Sequence, residues 1–560
     1  MKKNRKSSRP NQPALFPLAA KRLCKTMTEW WRGGVFYQIY PRSFMDSNDD
    51  GVGDLSGVIQ KLDYVASLGI DAIWLSPFFK SPMKDFGYDV EDYRSVDPLF
   101  GTLDDFRRLL SEAHKRNIKI IIDQVWAHTA DTHPWFVESR QNRTNAKADW
   151  YIWSDSKPDG TPPNNWLSVF GGPCWTWDTR REQYYLHHYL VSQPKLNLRN
   201  PDVKAAIFDI AKFWLDMGVD GFRLDTVHHF LHDPELRDNP ARDHNSPPPN
   251  DIPSSNPLSR QFRLHCCAHD DTTEFLEELR TLINIYNDRI LLGEVGGEDN
   301  EALACRYVQT GKRMHLAYTF GLMQQKFDKE LVQNIVNHIE DLLKDGWLCW
   351  ATGNHDNMRV VSRWPHHNIS SEMFARFCLA FGLSLRGTFC MYQGEELALP
   401  EAEVPFELLQ DPYGITFYPE YKGRDGCRTP MTWLKDSSHG GFSNTTGRTW
   451  LPVPEPHREH AVDSQQNDPN SMLNFTRAFI AWRKEQPALR FGNIHFIETP
   501  DNVIGFRRQF EQQTLTCLFN AQDQPVTLPV QGQLSGMSSS SCLIDQGKLT
   551  LTPYSFAFLT

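Results

Sequence analysis

The chain has no long apolar run, no cysteine pattern and no basic excess. No stretch approaches the roughly 20 residues of a transmembrane helix, so nothing reads as a membrane span. The 11 cysteines are odd in number and scattered, with Cys266 and Cys267 adjacent and no Cys-x-x-Cys. No zinc or disulfide framework emerges from that pattern, so reduced, buried thiols in a cytoplasmic protein are the default reading. The formal net charge is −10, which argues against nucleic acid as a partner, because phosphate binding wants a basic face. Basic residues do gather at the N-terminus (Lys2, Lys3, Arg5, Lys6, Arg9), ahead of a short apolar run from Ala14 to Ala20. Pro17 interrupts that run, so it does not make a secretory signal. Residues 1–28 read as a disordered extension, with the folded pattern beginning near Trp30 and Met27 as a possible translation start.

What is present is an ordinary globular composition, 40% hydrophobic and 23% charged, with 12% aromatic residues including 17 Trp. Aromatic faces suit sugar rings, but most such residues fill cores, so the count decides little. Short apolar runs alternate with amphipathic helical stretches. Strands are expected at Val35–Tyr40, Ala72–Ser76, Ile118–Val125, Val219–Asp225, Ile290–Glu294, His315–Phe320, Leu348–Thr352 and Thr388–Gln393. Helical patterns lie at Val58–Leu68, Leu103–Asn117, Val203–Met217, Thr273–Asn287 and Met323–Leu342. Near-continuous apolar strands mean a sheet covered on both faces. Eight of them alternating with helices give an α/β fold, a (β/α)₈ barrel ahead of an open doubly wound sheet.

The expected barrel comprises residues 29–128 and 198–488. Residues 129–197, rich in Trp, Pro and Gly, read as a subdomain inserted after the third strand. Residues 231–271 read as a long loop of the kind that covers a site. After a helix at Met472–Glu485, residues 489–560 carry alternating patterns such as Val503–Phe510 and Leu515–Asn520, expected to form a C-terminal antiparallel β-sandwich.

Catalytic groups in such a barrel sit at the C-terminal strand ends. The fourth strand ends in Arg223-Leu224-Asp225, the fifth in Gly293-Glu294, and the seventh runs into Asn354-His355-Asp356. The third ends in Asp123 and is followed by His128. One such carboxylate would be a solvated strand end; three converging on one face suit glycoside hydrolysis, where one carboxyl protonates the leaving oxygen and another attacks.

The blocks Gly221–Asp225, Gly293–Val295 and Asn354–Asp356 resemble the signature regions of the α-amylase family, glycoside hydrolase family 13. Asp123 and His128 fit the remaining region, although Ala127 stands where Asn is usual, and Gln193–Asn197 resembles the motif closing the inserted domain. The resemblance runs from about Trp30 to Thr560. It implies Asp225 as nucleophile, Glu294 as acid/base and Asp356 as the carboxylate that holds the sugar ring distorted. It implies that His128 and His355 bind hydroxyls of the glucose being cleaved. Arg223, on the same strand face as Asp225, would keep it ionised. Net retention would follow, with the Asp225 and Glu294 carboxyls about 5–5.5 Å apart.

Asp85-Phe86-Gly87-Tyr88 and Arg424-Asp425 resemble the α-glucosidase branch. There Asp85 and Arg424 would bind the terminal 4-hydroxyl and close the pocket, and Tyr88 would stack on the ring. Thr226 resembles the branch that prefers α-1,4 links. The expected substrate is a small α-glucoside such as maltose, with no organic cofactor and a monomer or small homo-oligomer. Sucrose-cleaving and glucosyl-transferring or isomerising relatives share these core residues and stay open. A non-catalytic, transporter-associated relative would carry a membrane helix and can lack the carboxylates.

The loop Asp46-Ser47-Asn48-Asp49-Asp50-Gly51-Val52-Gly53-Asp54 offers oxygens at alternate positions, suited to a hard cation. It resembles the start of an EF-hand, but position twelve is Gly57 where a bidentate Glu is required. The family resemblance implies instead a structural Ca²⁺ or Mg²⁺ held by Asp46, Asn48, Asp50, Asp54 and the Val52 carbonyl.

Overall fold

Eight short parallel strands, buried at every position except Lys119, form the centre of the molecule: β1 (Val35–Ile39), β2 (Ala72–Leu75), β3 (Lys119–Gln124), β4 (Gly221–Leu224), β5 (Ile290–Glu294), β6 (Leu316–Tyr318), β7 (Cys349–Trp350) and β8 (Thr388–Tyr392). This computed structural model describes residues 29–243, 246, 252–366, 368–500 and 502–560, so the reading of residues 1–28 and of Met27 lies outside it. Neighbours pair in the order β6-β5-β4-β3-β2-β1-β8-β7. A parallel bridge between Ala317 and Leu348 joins β6 to β7 and closes the barrel.

Alternation along the strands decides what points inward. Phe36, Trp74, Ile121, Leu292, Leu316, Cys349 and Cys390 fill the lumen as a core of their own. The intervening residues, such as Val35, Tyr37, Ile73 and Ile120, belong to the larger core. Continuing the inward parity toward the C-terminal ends reaches Gln38, Asp123, Arg223, Asp225 and Glu294. The register sets Asp123 beside Arg223 and Glu294 beside Tyr318.

Helices cover the outside. Leu103–Lys115 begins at a Thr102–Asp105 capping box, and Pro201–Met217 begins at Asn200 with Pro at its first position and ends on Gly218 at φ +108°. Both are ordinary start and stop chemistry. Two helical readings need correction. Val58–Leu68 is two short helices, Leu55–Gln60 and Leu62–Ser67, meeting at Lys61. Met323–Leu342 is one helix only from Lys329 to Leu343, because Asp328 caps it by accepting from the Leu331 amide.

Between β3 and β4 an antiparallel three-stranded sheet is built from Trp153–Ser154, Gln183–Leu186 and Trp175–Asp178. At the C-terminus a four-stranded and a three-stranded antiparallel sheet share a small core of Val503, Leu518, Leu528, Leu549, Leu551, Ala557 and Leu559. Among the described residues, ten cysteines are free thiols, nine of them buried, and no helix is long and apolar enough to cross a membrane.

Candidate active site

Arg223 is the hub. Fully buried inside β4, it reaches three carboxylates: Nη1 lies 2.8 Å from Asp123 Oδ1 and 2.7 Å from Asp225 Oδ1, and Nη2 lies 2.8 Å from Glu294 Oε2. Nη2 also donates to the Tyr318 hydroxyl at 2.8 Å. Asp123, on the neighbouring strand, further accepts from Tyr88 OH at 3.1 Å and Trp74 Nε1 at 3.2 Å. A buried charge costs several kcal/mol unless it is paired and hydrogen-bonded, and here one guanidinium serves three carboxylates, so it offsets their burial only in part.

Thr226 follows Asp225 directly, with φ +41°, an unusual conformation for a β-branched residue. The turn aims its two polar groups at the two carboxylates. Its amide donates to Glu294 Oε2 at 3.0 Å, and its hydroxyl donates to Asp225 Oδ2 at 3.1 Å. One residue and one guanidinium therefore each span the Asp225–Glu294 pair.

Burial pushes Glu294 up to about 8 and Asp225 up to about 7, with Arg223 opposing the rise in both. Burial also pushes Asp123 up to about 6 against the pull of Arg223. Asp356 goes the other way. Burial works upward on it, but His355, Arg424 and Arg428 together hold it well below the usual carboxylate range. Burial depresses His355 to about 3, so its ring is neutral. Gln38 Nε2 donates to His355 Nδ1 at 2.7 Å. The ring proton therefore sits on Nε2, 3.2 Å from Asp356 Oδ2. Tyr88 lies flat on that imidazole, with centroids 5.2 Å apart and planes 4° from parallel.

A second charged group closes the far side. Arg424 Nη2 donates to Asp85 Oδ1 at 2.9 Å, and Nη1 stands 3.3 Å from Asp356 Oδ1. Gln193 Nε2 holds the other Asp85 oxygen at 2.9 Å. Between the two clusters is a cavity of about 140 Å³ lined by Asp85, Tyr88, Asp225, Thr226, Glu294, Asp356 and Arg424, and also by Phe170, Tyr189, His228, His229 and Tyr413.

The candidates read from the sequence thus fall in two tiers. Asp225, Glu294, Asp356, Asp85, Tyr88, Thr226 and Arg424 line the cavity. Arg223, His355 and His128 stand behind it, and His128 donates through Nε2 to the Tyr88 carbonyl at 2.9 Å. Sequence reasoning missed Tyr318, Gln38, Arg428 and Asp411. Tyr318 and Gln38 share the inward parity of their strands, which could have signalled them. Arg428 donates to Asp356 Oδ1 at 2.6 Å and to the His355 carbonyl at 2.7 Å, and it lies one helical turn after Arg424. His187 and His188 are buried packing residues, His188 stacking on His229 at 4.2 Å.

The acidic loop before the first helix folds on itself. Asp46 Oδ1 accepts from the amides of Asn48 and Asp49, and Oδ2 from Gly51 N and the Ser443 hydroxyl. Asn48 and Asp50 accept from the amides two residues on, and Asp54 accepts from Ser47 and Gly57. Among the described residues no group of three or more His, Cys, Asp and Glu is placed to hold a metal ion.

Known proteins share this architecture. The family model described as "Alpha amylase, catalytic domain" matches residues 38–492. A "Probable alpha-glucosidase" of Rhizobium meliloti (strain 1021) is 49% identical over 501 residues, 89% of this chain and 90% of that protein. An "Oligo-1,6-glucosidase" of Heyndrickxia coagulans is 36% identical over 540 residues, covering 90% and 94%. Among solved structures, the alpha-glucosyl transfer enzyme XgtA superposes with a TM-score of 0.91 at 50% identity, covering 95% of this chain and 100% of that one. Isomaltulose synthase from Erwinia rhapontici NX5 superposes with a TM-score of 0.84 at 30% identity, covering 95% and 98%.

Proposed function

We infer the activity from the premise that this chain belongs to the α-amylase family: it is a retaining, exo-acting α-glucosidase that removes terminal glucose from small α-glucosides. The observation that carries the reading is the shared bracing of Asp225 and Glu294 by Arg223 and Thr226. Bracing of this kind draws two carboxyls together, and retaining enzymes need the shorter separation, without room for an intervening water.

In the first step Glu294 gives its proton to the leaving oxygen while Asp225 attacks the anomeric carbon and forms a β-glucosyl ester. In the second step Glu294 takes a proton from water, which opens the ester with net retention. Asp225 carries the negative charge of the pair, held by the Arg223 guanidinium and the Thr226 hydroxyl, while burial keeps the proton on Glu294. Asp356 stays ionised and faces the ring hydroxyls. Asp85 and Arg424 cap the 4-hydroxyl of the end sugar, which leaves no room for a chain to continue, and Thr226 favours α-1,4 links.

A second reading is favoured by the likeness to the glucosyl transfer enzyme: an acceptor hydroxyl competes with water for the same ester. Proton NMR of the protein with maltose, isomaltose, sucrose and starch separates these outcomes. Early α-glucose from maltose with starch intact supports the hydrolase, new glucosides support transfer, and β-glucose first refutes double displacement.

We also propose a structural Ca²⁺ or Mg²⁺ on Asp46, Asn48, Asp50, Asp54 and the Val52 carbonyl. The support is donor chemistry, all hard oxygens; as described, Asp46, Asp50 and Asp54 accept from backbone amides and are not gathered around one point, so binding has to turn them inward together. Added Ca²⁺ raising the melting temperature, and chelator lowering it, is the expected result; no shift with either refutes the site. Reduced cysteines support a cytoplasmic setting.

A further inference from the structure

Arg424 has five N–H donors, and four of them are directed at carboxylates. Nε donates to Asp411 Oδ2 at 3.1 Å, and Nη2 is shared between Asp411 Oδ1 at 2.7 Å and Asp85 Oδ1 at 2.9 Å. Nη1 makes the longest contact, 3.3 Å to Asp356 Oδ1. Its second hydrogen has no protein acceptor among the described residues, and Arg424 lines the cavity. The fork to Asp411 is the paired geometry that fixes a guanidinium plane rather than only its charge.

Asp411 is itself built in. It is fully buried, accepts the Arg424 amide at 2.8 Å, and starts the helix Pro412–Phe417 by accepting from Tyr413 N at 3.2 Å. Its own amide, and that of Gln410, are held by Asp425 Oδ2 at 2.9 and 2.6 Å. Gly423, at φ +78°, leaves room for the carboxylate, because a Cβ there would come within 2.5 Å of Asp411 Oδ2. Burial works to raise Asp411, but the Arg424 charge and hydrogen bonds, with Arg428, hold it below the usual carboxylate range, so it is an anion at neutral pH.

We propose that Asp411 is a positioning residue for substrate recognition: by holding Nε and Nη2 of Arg424 from behind, it turns the free Nη1–H toward the 4-hydroxyl of the terminal sugar. Without that grip, Arg424 would be drawn between Asp85 and Asp356 and its plane would rotate away from the sugar. The proposal rests on the reading that Arg424 meets the 4-hydroxyl.

The test compares 4-nitrophenyl α-glucoside with its 4-deoxy analogue on the full-length protein and on Asp411→Asn. Wild type is expected to disfavour the 4-deoxy analogue. A charged hydrogen bond lost at such a site costs about tenfold to a hundredfold. Asp411→Asn is therefore expected to lose about that much kcat/KM on the parent glucoside, mainly through KM, and at most about twofold on the analogue. Equal losses on both substrates would overturn the proposal, leaving Asp411 a merely structural residue. If wild type treats both substrates alike, the 4-hydroxyl reading itself falls, and the proposal with it. Asp411→Glu keeps the charge and supplies the same comparison if the Asn variant does not fold; partial recovery of discrimination against the analogue is expected from it, and its absence counts against the proposal.

Discussion

Glu294→Gln separates the two roles of this carboxyl. With a pKa of about 8, Glu294 is about nine-tenths protonated at pH 7 and about one-tenth at pH 9. Maltose needs a proton on its leaving glucose, so the variant should lose about 10²–10⁴-fold in kcat/KM, roughly 3–5 kcal/mol of barrier. A 2,4-dinitrophenyl α-glucoside leaves without a proton, so its first step should be nearly spared. The product then appears as a fast burst followed by slow turnover, because the ester lacks its base. The wild-type rate on maltose should fall on the alkaline side of about pH 8, and the variant should not show that limb. Stability adds a second readout. A carboxyl whose value is raised on folding stabilises the fold fully below its unfolded value, near 4.5, and that contribution is lost as pH rises through about 8. The melting temperature of wild type should therefore decline over that window more than that of the variant. Equal loss on both substrates, or an alkaline limb near pH 8 that survives in the variant, would refute the assignment of Glu294.

Asp225→Asn should abolish nearly all turnover while leaving the circular dichroism spectrum and melting temperature close to wild type; near-normal hydrolysis would sink the nucleophile. The acid limb of the wild-type profile should fall as Asp225 protonates below about pH 7; the limbs near 7 and 8 belong to the interacting pair, and a plateau extending to pH 5 would contradict it. Thr226→Val removes the hydroxyl that donates to Asp225 and should raise the isomaltose-to-maltose ratio of kcat/KM by a few-fold, read by competing the two sugars; an unchanged ratio moves linkage choice elsewhere. Gly423→Ala forces a Cβ into Asp411 at a positive φ and should destabilise the protein by about 1–3 kcal/mol, visible as a lower denaturant midpoint. An unmoved midpoint would show that the loop yields freely.

Much of this was legible in the sequence, for identifiable reasons. Strands such as Ile290–Glu294 are continuous apolar runs because a sheet covered on both sides leaves no polar face, and the structure places that strand on the same residues. Asp225 and Glu294 end their runs, so their position was visible. The helix Ser371–Ser384 has ten buried residues of its fourteen, so no amphipathic stripe announces it. Apolar Met323 extends the helical pattern upstream of Lys329, where only Asp328 signals the true N-cap. Asp411 was invisible for a different reason: it sits in a loop without periodicity, and only folding brings it to Arg424.

The wall of the barrel is not equally zipped. β1 and β2 share four register pairs, whereas β6 and β7 meet through the single bridge at Ala317 and Leu348. Backbone amides along that seam have few partners, so native-state hydrogen exchange should find it the least protected stretch of the cylinder. Asp356 rides just beyond β7, and its carboxylate is anchored by Arg424, Arg428 and His355. The wall nearest Asp356 can therefore breathe while the carboxylate stays in place, tethered by Arg424 and Arg428 from the segment beyond β8.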